Sequence, residues 1–460
     1  MPTFTTQDGT ELAYRVRGEG EPLVCLAGGP MRDAGCLGDL GGLAAHRALV
    51  LLDARGTGAS AEPAAPGTYR CDRQVDDVEA LRVHLGLDRI DLLGHSAGGN
   101  LAVLYAAAHP ERIRSLVLVT SAGRALGVET TDEEWDEAVE VFADRARYPE
   151  ARAALDSIGP GTLRRRVREI TAPVLIVAGR YDAGPTPAEA AEAAAFFPHA
   201  ELVVQPGAGH FPWVDDADAF ARTVAAFLDP AVRTVTVDGV RLAHRVTGAE
   251  DAPPVVLVHG RGENSTTWTE IAEDLAVDHR VYAVDLRGHG LSDRPGRYGF
   301  EDFRDELGGF LKALGLTGAT VVAHSMGAGA AHLLAQSEPG LIGRLVLEEA
   351  PAFVPLDPPR PVAERPEGPL AFDWAVVPTT DAQLNAPDPA WREGLAAITA
   401  PTLVIAGGPT SHIPQDQLAG LADRIPDARL VTIGAGHLVH NTRPAEFLAA
   451  IREFGARAGA

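Results

Sequence analysis

The chain has 460 residues, a formal charge of −23, 46% hydrophobic and 22% charged residues, which is ordinary globular usage with length for more than one core. That acidity disfavours nucleic acid and anionic membranes as partners, and no apolar run is long enough to span a bilayer. A cytoplasmic protein acting on a small molecule is the expectation; the polar segment Met1 to Thr10 carries no signal-peptide pattern. The three cysteines, Cys25, Cys36 and Cys71, read as reduced thiols and not as a disulfide framework.

In chain order, the first pattern is Asp8-Gly9-Thr10-Glu11-Leu12-Ala13, which returns as Asp238-Gly239-Val240-Arg241-Leu242-Ala243. A displacement of about 230 residues means tandem domains, not a solenoid. Short Val/Leu/Ile-rich runs follow at 22–27, 48–52, 90–93, 115–119, 174–178 and 201–204. The second half repeats them at 255–259, 281–284, 320–322, 345–347, 402–406 and 429–433. Near-continuous apolar runs alternating with Ala-rich helical patterns imply a parallel sheet covered by helices, an α/β fold in each half. An amphipathic helix through Phe220, Val224 and Phe227 stops before Asp229-Pro230, giving domains at 1–230 and 231–460. The linker is short, so domain 1 is expected to pack on domain 2.

Behind the third run of each half stands a serine turn: Gly94-His95-Ser96-Ala97-Gly98 and Ala323-His324-Ser325-Met326-Gly327. Small residues two positions either side of a serine are what a strained strand-turn-helix corner requires. A serine hydroxyl is a weak nucleophile and needs a base with an acid to orient it. In the first half, Asp182 follows the run at 174–178, and His210 follows the next run within Gly207-Ala208-Gly209-His210.

With the order serine, acid, histidine at strand ends, the chain resembles the α/β-hydrolase family over essentially all of both halves. The resemblance implies that Ser96 is a nucleophile, His210 its base and Asp182 the orienting acid, with an oxyanion hole from the backbone N–H groups of Gly29 and Ala97. Gly28-Gly29-Pro30 is similar to the oxyanion loop of proline iminopeptidase-type members, although Ala27 stands where many members carry histidine. In the second half, His259-Gly260-Arg261-Gly262 resembles the family's His-Gly oxyanion loop, which implies Arg261 and Met326 as oxyanion donors, Ser325 as nucleophile and His437 as base. Thr410 aligns with Asp182 and cannot serve as the acid. Some members place the acid one strand earlier, and Glu349 resembles that relocated group, with Glu348 and Asp416 as the alternatives. His95, His289 and His324 are read as structural histidines, and the Asp53 and Asp285 loops as turn-ordering.

Lid insertions are expected at about residues 121–170 and 351–400. Trp135, Ala138, Val139 and Phe142 share one face of a helix over 131–143, and Phe353, Phe372 and Trp374 are available to line a cavity in the second half. The expected activity is serine hydrolysis of a small ester, lactone or activated amide in both halves, with no metal or organic cofactor. Rival readings are other chemistry of this fold, such as aminopeptidase, perhydrolase, lyase or C–C cleavage, and a non-catalytic scaffold or sensor role for one half, the second before the first.

Overall fold

The apolar runs become strands because each is buried on both faces. The computed structural model describes residues 1–29, 32–121, 125–128, 160–368 and 370–457; the helix expected over 131–143 lies outside them. The chain divides into two units, Met1–Leu228 and Asp229–Ala460. No described helix is long and apolar enough to cross a membrane.

The first unit builds an eight-stranded sheet from β1 (Thr3–Thr5), β2 (Glu11–Arg17), β3 (Pro22–Leu26), β4 (Ala48–Leu52), β5 (Ile90–His95), β6 (Ile113–Val119), β7 (Val174–Gly179) and β8 (Ala200–Gln205). Their spatial order is β1-β2-β4-β3-β5-β6-β7-β8. The second unit repeats it with β9 (Val232–Val237), β10 (Val240–Thr247), β11 (Pro254–Val258), β12 (Arg280–Val284), β13 (Ala319–His324), β14 (Ile342–Glu348), β15 (Thr402–Ala406) and β16 (Ala428–Thr432), in the order β9-β10-β12-β11-β13-β14-β15-β16. In both, the first two strands are antiparallel and the other six run parallel. The four antiparallel strands are elements that the apolar-run pattern missed.

Side chains alternate between faces along each strand. In β11, Val256 and Val258 join one core cluster, while Val255 and Leu257 join the other on the opposite face of the sheet. Each such fully buried aliphatic side chain is worth roughly 1.5–3 kcal/mol of transfer free energy. Cys25 is buried in β3, as a core residue. The Asp53 and Asp285 carboxylates order the loops beside them. Asp53 accepts from the Ala34 and Ala59 N–H groups at 2.9 and 3.1 Å, and Asp285 accepts from Ser265 and Leu291 at 2.6 and 2.9 Å.

Candidate active site

Each serine sits between a central strand and a buried helix. Ser96 links β5 to the helix Ala97–Ala108, with φ 51° and ψ −121°. Ser325 follows β13 and opens the helix Ser325–Ser337 with φ 50°. Positive φ is strained for a residue with a Cβ, and it persists because the packing around it leaves no alternative. A Cβ on Gly98 would stand 2.4 Å from the Ala27 and Leu26 carbonyl oxygens, and one on Gly327 would stand 2.4 Å from that of His259. Strand, turn and helix can therefore approach this closely only through glycine.

The histidine and acid arrive from neighbouring strands, β8 and β7, in the first domain, and from β16 and β14, with β15 between them, in the second. In the first domain, His210 Nε2 lies 3.0 Å from Ser96 Oγ, and its Nδ1 lies 3.0 and 3.2 Å from the two oxygens of Asp182. In the second, His437 Nε2 lies 3.0 Å from Ser325 Oγ and its Nδ1 lies 3.2 Å from Glu349 Oε2. With the acid on Nδ1, the ring proton is fixed there and Nε2 is left to accept from the serine. The loops carrying the histidines are pinned to the ends of the adjacent strands, β7 and β15, through glycine pairs. A Cβ on Gly179 would meet the Gly209 oxygen at 2.0 Å, and one on Gly407 would meet that of Gly436 at 1.9 Å.

Glu349 is the carboxylate that reaches His437; the neighbouring Glu348 is bound by His440 through N–H and Nδ1 at 2.9 and 2.7 Å. Asp416 lies in the first turn of the helix Gln415–Ala422. Glu349 is fully buried with φ 49° and accepts hydrogen bonds from Ser411, Gln415 and the Gly407 N–H. Burial works to raise its pKa, but the bonds from His437, Ser411, Gly407 and Gln415 prevail and hold it below the ordinary glutamate range. Ser411 and Gln415 were invisible in the sequence, since nothing local marks a loop serine or a helix-opening glutamine as a carboxylate donor.

The two sites use the same frame with the acid exchanged. Thr120 follows β6 as Glu349 follows β14, both with positive φ. Thr120 donates to the His210 carbonyl at 3.0 Å. Thr410, which aligns with Asp182, is exposed at its strand end.

His95 and His324, adjacent to the nucleophiles, brace the base loops: their Nε2 atoms lie 3.1 and 3.0 Å from the carbonyls of His210 and His437. They differ in charge. His95 Nδ1 is buried without a partner among the described residues, and burial, with the neighbouring His210, lowers its pKa to about 3. His324 Nδ1 faces Glu263 Oε2 at 3.0 Å; burial opposes its charge, yet Glu348 and Glu263 raise its pKa to about 9.

Gly29 has φ 63°, and Ala97 and Met326 lie in the first turns of the helices behind the serines, where backbone N–H groups lack intrahelical partners. Arg261 follows Gly260 on a loop ordered by Glu263, which accepts the Gly260 N–H at 2.7 Å. His259 accepts the Leu286 N–H on Nε2 at 3.0 Å, so it is neutral and donates from Nδ1 to the Gly260 carbonyl at 2.6 Å. A cavity of about 440 Å³ opens on Ser325 and His437, with Arg261, Phe353 and His412 in its wall. Phe372 and Trp374 do not line it; Phe372 instead stacks on His289 with 5.6 Å between ring centres.

A family model described as alpha/beta hydrolase fold matches residues 21–159 and 253–375. The chain belongs to the α/β-hydrolase family. A second model, described as TAP-like protein, matches residues 156–236. Among curated relatives, an uncharacterised protein of Mycobacterium tuberculosis is 38% identical over 130 residues, 28% of this chain and 38% of that protein. A proline iminopeptidase of Heyndrickxia coagulans is 27% identical, covering 46% of this chain and 92% of its own length. A 2-hydroxymuconate semialdehyde hydrolase of a Pseudomonas species is 30% identical, covering 50% and 95%. The solved enol-lactonase of Burkholderia xenovorans is 24% identical with a TM-score of 0.45, over 49% of this chain and all of that one. This α/β-hydrolase thus carries the family's fold twice.

Proposed function

We propose that both domains are serine hydrolases acting on small esters, lactones or activated amides through an acyl-serine intermediate. The observation that carries this reading is the 3.0 Å separation of imidazole Nε2 from serine Oγ in each domain, with a carboxylate on Nδ1. His210 or His437 takes the serine proton as Oγ attacks the acyl carbon. The Gly29 and Ala97 N–H groups, or those of Arg261 and Met326, hold the tetrahedral oxyanion. The imidazolium then protonates the leaving group, and the same nitrogen deprotonates the water that releases the acid. Hydrolase relatives of near-complete coverage support the reaction class.

The test is intact-mass analysis after treatment with a fluorophosphonate, on the parent chain, Ser96→Ala and Ser325→Ala. Two adducts are expected on the parent, and each variant should lose one. A single adduct on the parent would identify the working domain and leave the other as scaffold; none on folded protein would overturn the reading.

A further inference from the structure

The cavity in front of Ser325 holds a charge arrangement that triad chemistry does not use. Arg261 Nη1 lies 2.7 Å from Asp381 Oδ1 and 3.1 Å from Thr380 Oγ1, and Arg360 Nη1 lies 2.8 Å from the same Asp381 oxygen. Two guanidiniums therefore share one carboxylate oxygen, in the wall of a cavity also lined by Phe300, Met326 and Phe353. Both arginines line that cavity and are just under a third exposed, while Asp381 is 12% exposed. Each uses Nη1 alone; Nε and Nη2 of both have no partner among the described residues.

Arg360 is also held in place. Its N–H donates to Asn385 Oδ1 at 2.7 Å and its carbonyl accepts from Asn385 Nδ2 at 3.1 Å. A fixed backbone with an unfilled guanidinium edge is the preorganised half of a bidentate contact, for which a planar carboxylate is the matching ligand. Glu349, the carboxylate that lines the cavity, makes its hydrogen bonds with His437, Ser411 and Gln415 and none with either arginine, so both guanidinium edges stay open. Against a bulk charge of −23, two arginines meeting at one cavity are a local feature and not part of a basic surface.

We infer that the second domain acts on substrates carrying a carboxylate, which Arg261 and Arg360 hold while the acyl group reaches Ser325. This rests on the serine-hydrolase reading. The volume of about 440 Å³ suits a small ligand, so the compounds implied are half-esters, lactones or amides of short dicarboxylic acids.

The decisive experiment is calorimetric titration of the full chain with monomethyl adipate and with dimethyl adipate, which differ by one charge. The anion should bind at least about tenfold more tightly, since charge-assisted hydrogen bonds are worth more than neutral ones. Arg360→Gln should abolish the preference and Arg360→Lys should keep part of it. Equal binding of the two esters, no binding of either, or a preference unchanged in Arg360→Gln would overturn the assignment. Fluorophosphonate labelling of Ser325 on the same samples separates the two ideas. Labelling without a carboxylate preference defeats this inference alone; an Arg360-dependent preference without labelling upholds the anion site and defeats the hydrolase reading.

Discussion

The orienting acids are where a single atom decides the chemistry. Asp182 and Glu349 hold the Nδ1 proton of their histidines, and an amide there can present its N–H to Nδ1 and fix the wrong tautomer. In a Ser96→Ala background, where only the second site remains, Glu349→Gln should lower kcat for an activated ester by roughly 10³- to 10⁴-fold. Adding Thr410→Asp should recover part of that loss, because Thr410 stands exposed at the position Asp182 occupies in the first domain. No recovery in the double variant, on protein that still folds, would mean that the strand end after β15 cannot reach His437. Burial separates these side chains from ordinary surface carboxylates: Glu349 is fully buried and Asp182 nearly so.

At the scale of elements, the corner from strand to helix is fixed by backbone approach more than by any side chain. Gly327→Ala places its Cβ 2.4 Å from the His259 carbonyl, and overpacking of this kind costs about 1–3 kcal/mol. The variant should melt earlier and should label more slowly at Ser325, while Ser96 labels at the parent rate; equal labelling at both sites would show that the corner tolerates the methyl. The central parallel strands were legible because burial on both faces leaves a continuous apolar run. The antiparallel strands were not, since Glu11, Arg17, Arg233 and Thr236 face solvent and break such runs. A signal for them was present: Asp238 and Gly239 both have positive φ and join β9 to β10 by a two-residue turn, the geometry Asp-Gly favours. Serine and histidine positions could be read because both follow apolar runs within Gly-rich turns. The arginine pair could not, because Arg360 stands in a proline-rich stretch and meets Asp381 only through the fold of the insertion.

Over the whole molecule, buried histidines set the response to pH. His95 and His289 have pKa values lowered to about 3, and His244 and His332 to about 4, in each case chiefly by burial. The unfolded chain takes up these protons from about pH 6.5 downward. The folded chain takes them up only near 3 to 4, so stability falls across that range. His324 has the opposite sign. Its pKa is raised to about 9, so its contribution is complete below pH 6.5 and is lost as pH rises to about 9. Scanning calorimetry should therefore find a melting temperature highest near pH 6.5. Glu263→Gln should flatten the alkaline side, because it removes the carboxylate on His324 Nδ1. An alkaline slope unchanged by that substitution would show that another group is responsible. The acid exchange between the domains bears on descent. The two acid positions lie at the ends of neighbouring parallel strands, β6 with β7 and β14 with β15, and each serves the same imidazole nitrogen. An ancestor bearing both carboxylates at once could discard either without passing through an inactive form. Two copies of such an ancestor, each keeping one carboxylate, would give the pair of arrangements that Asp182 and Glu349 show here.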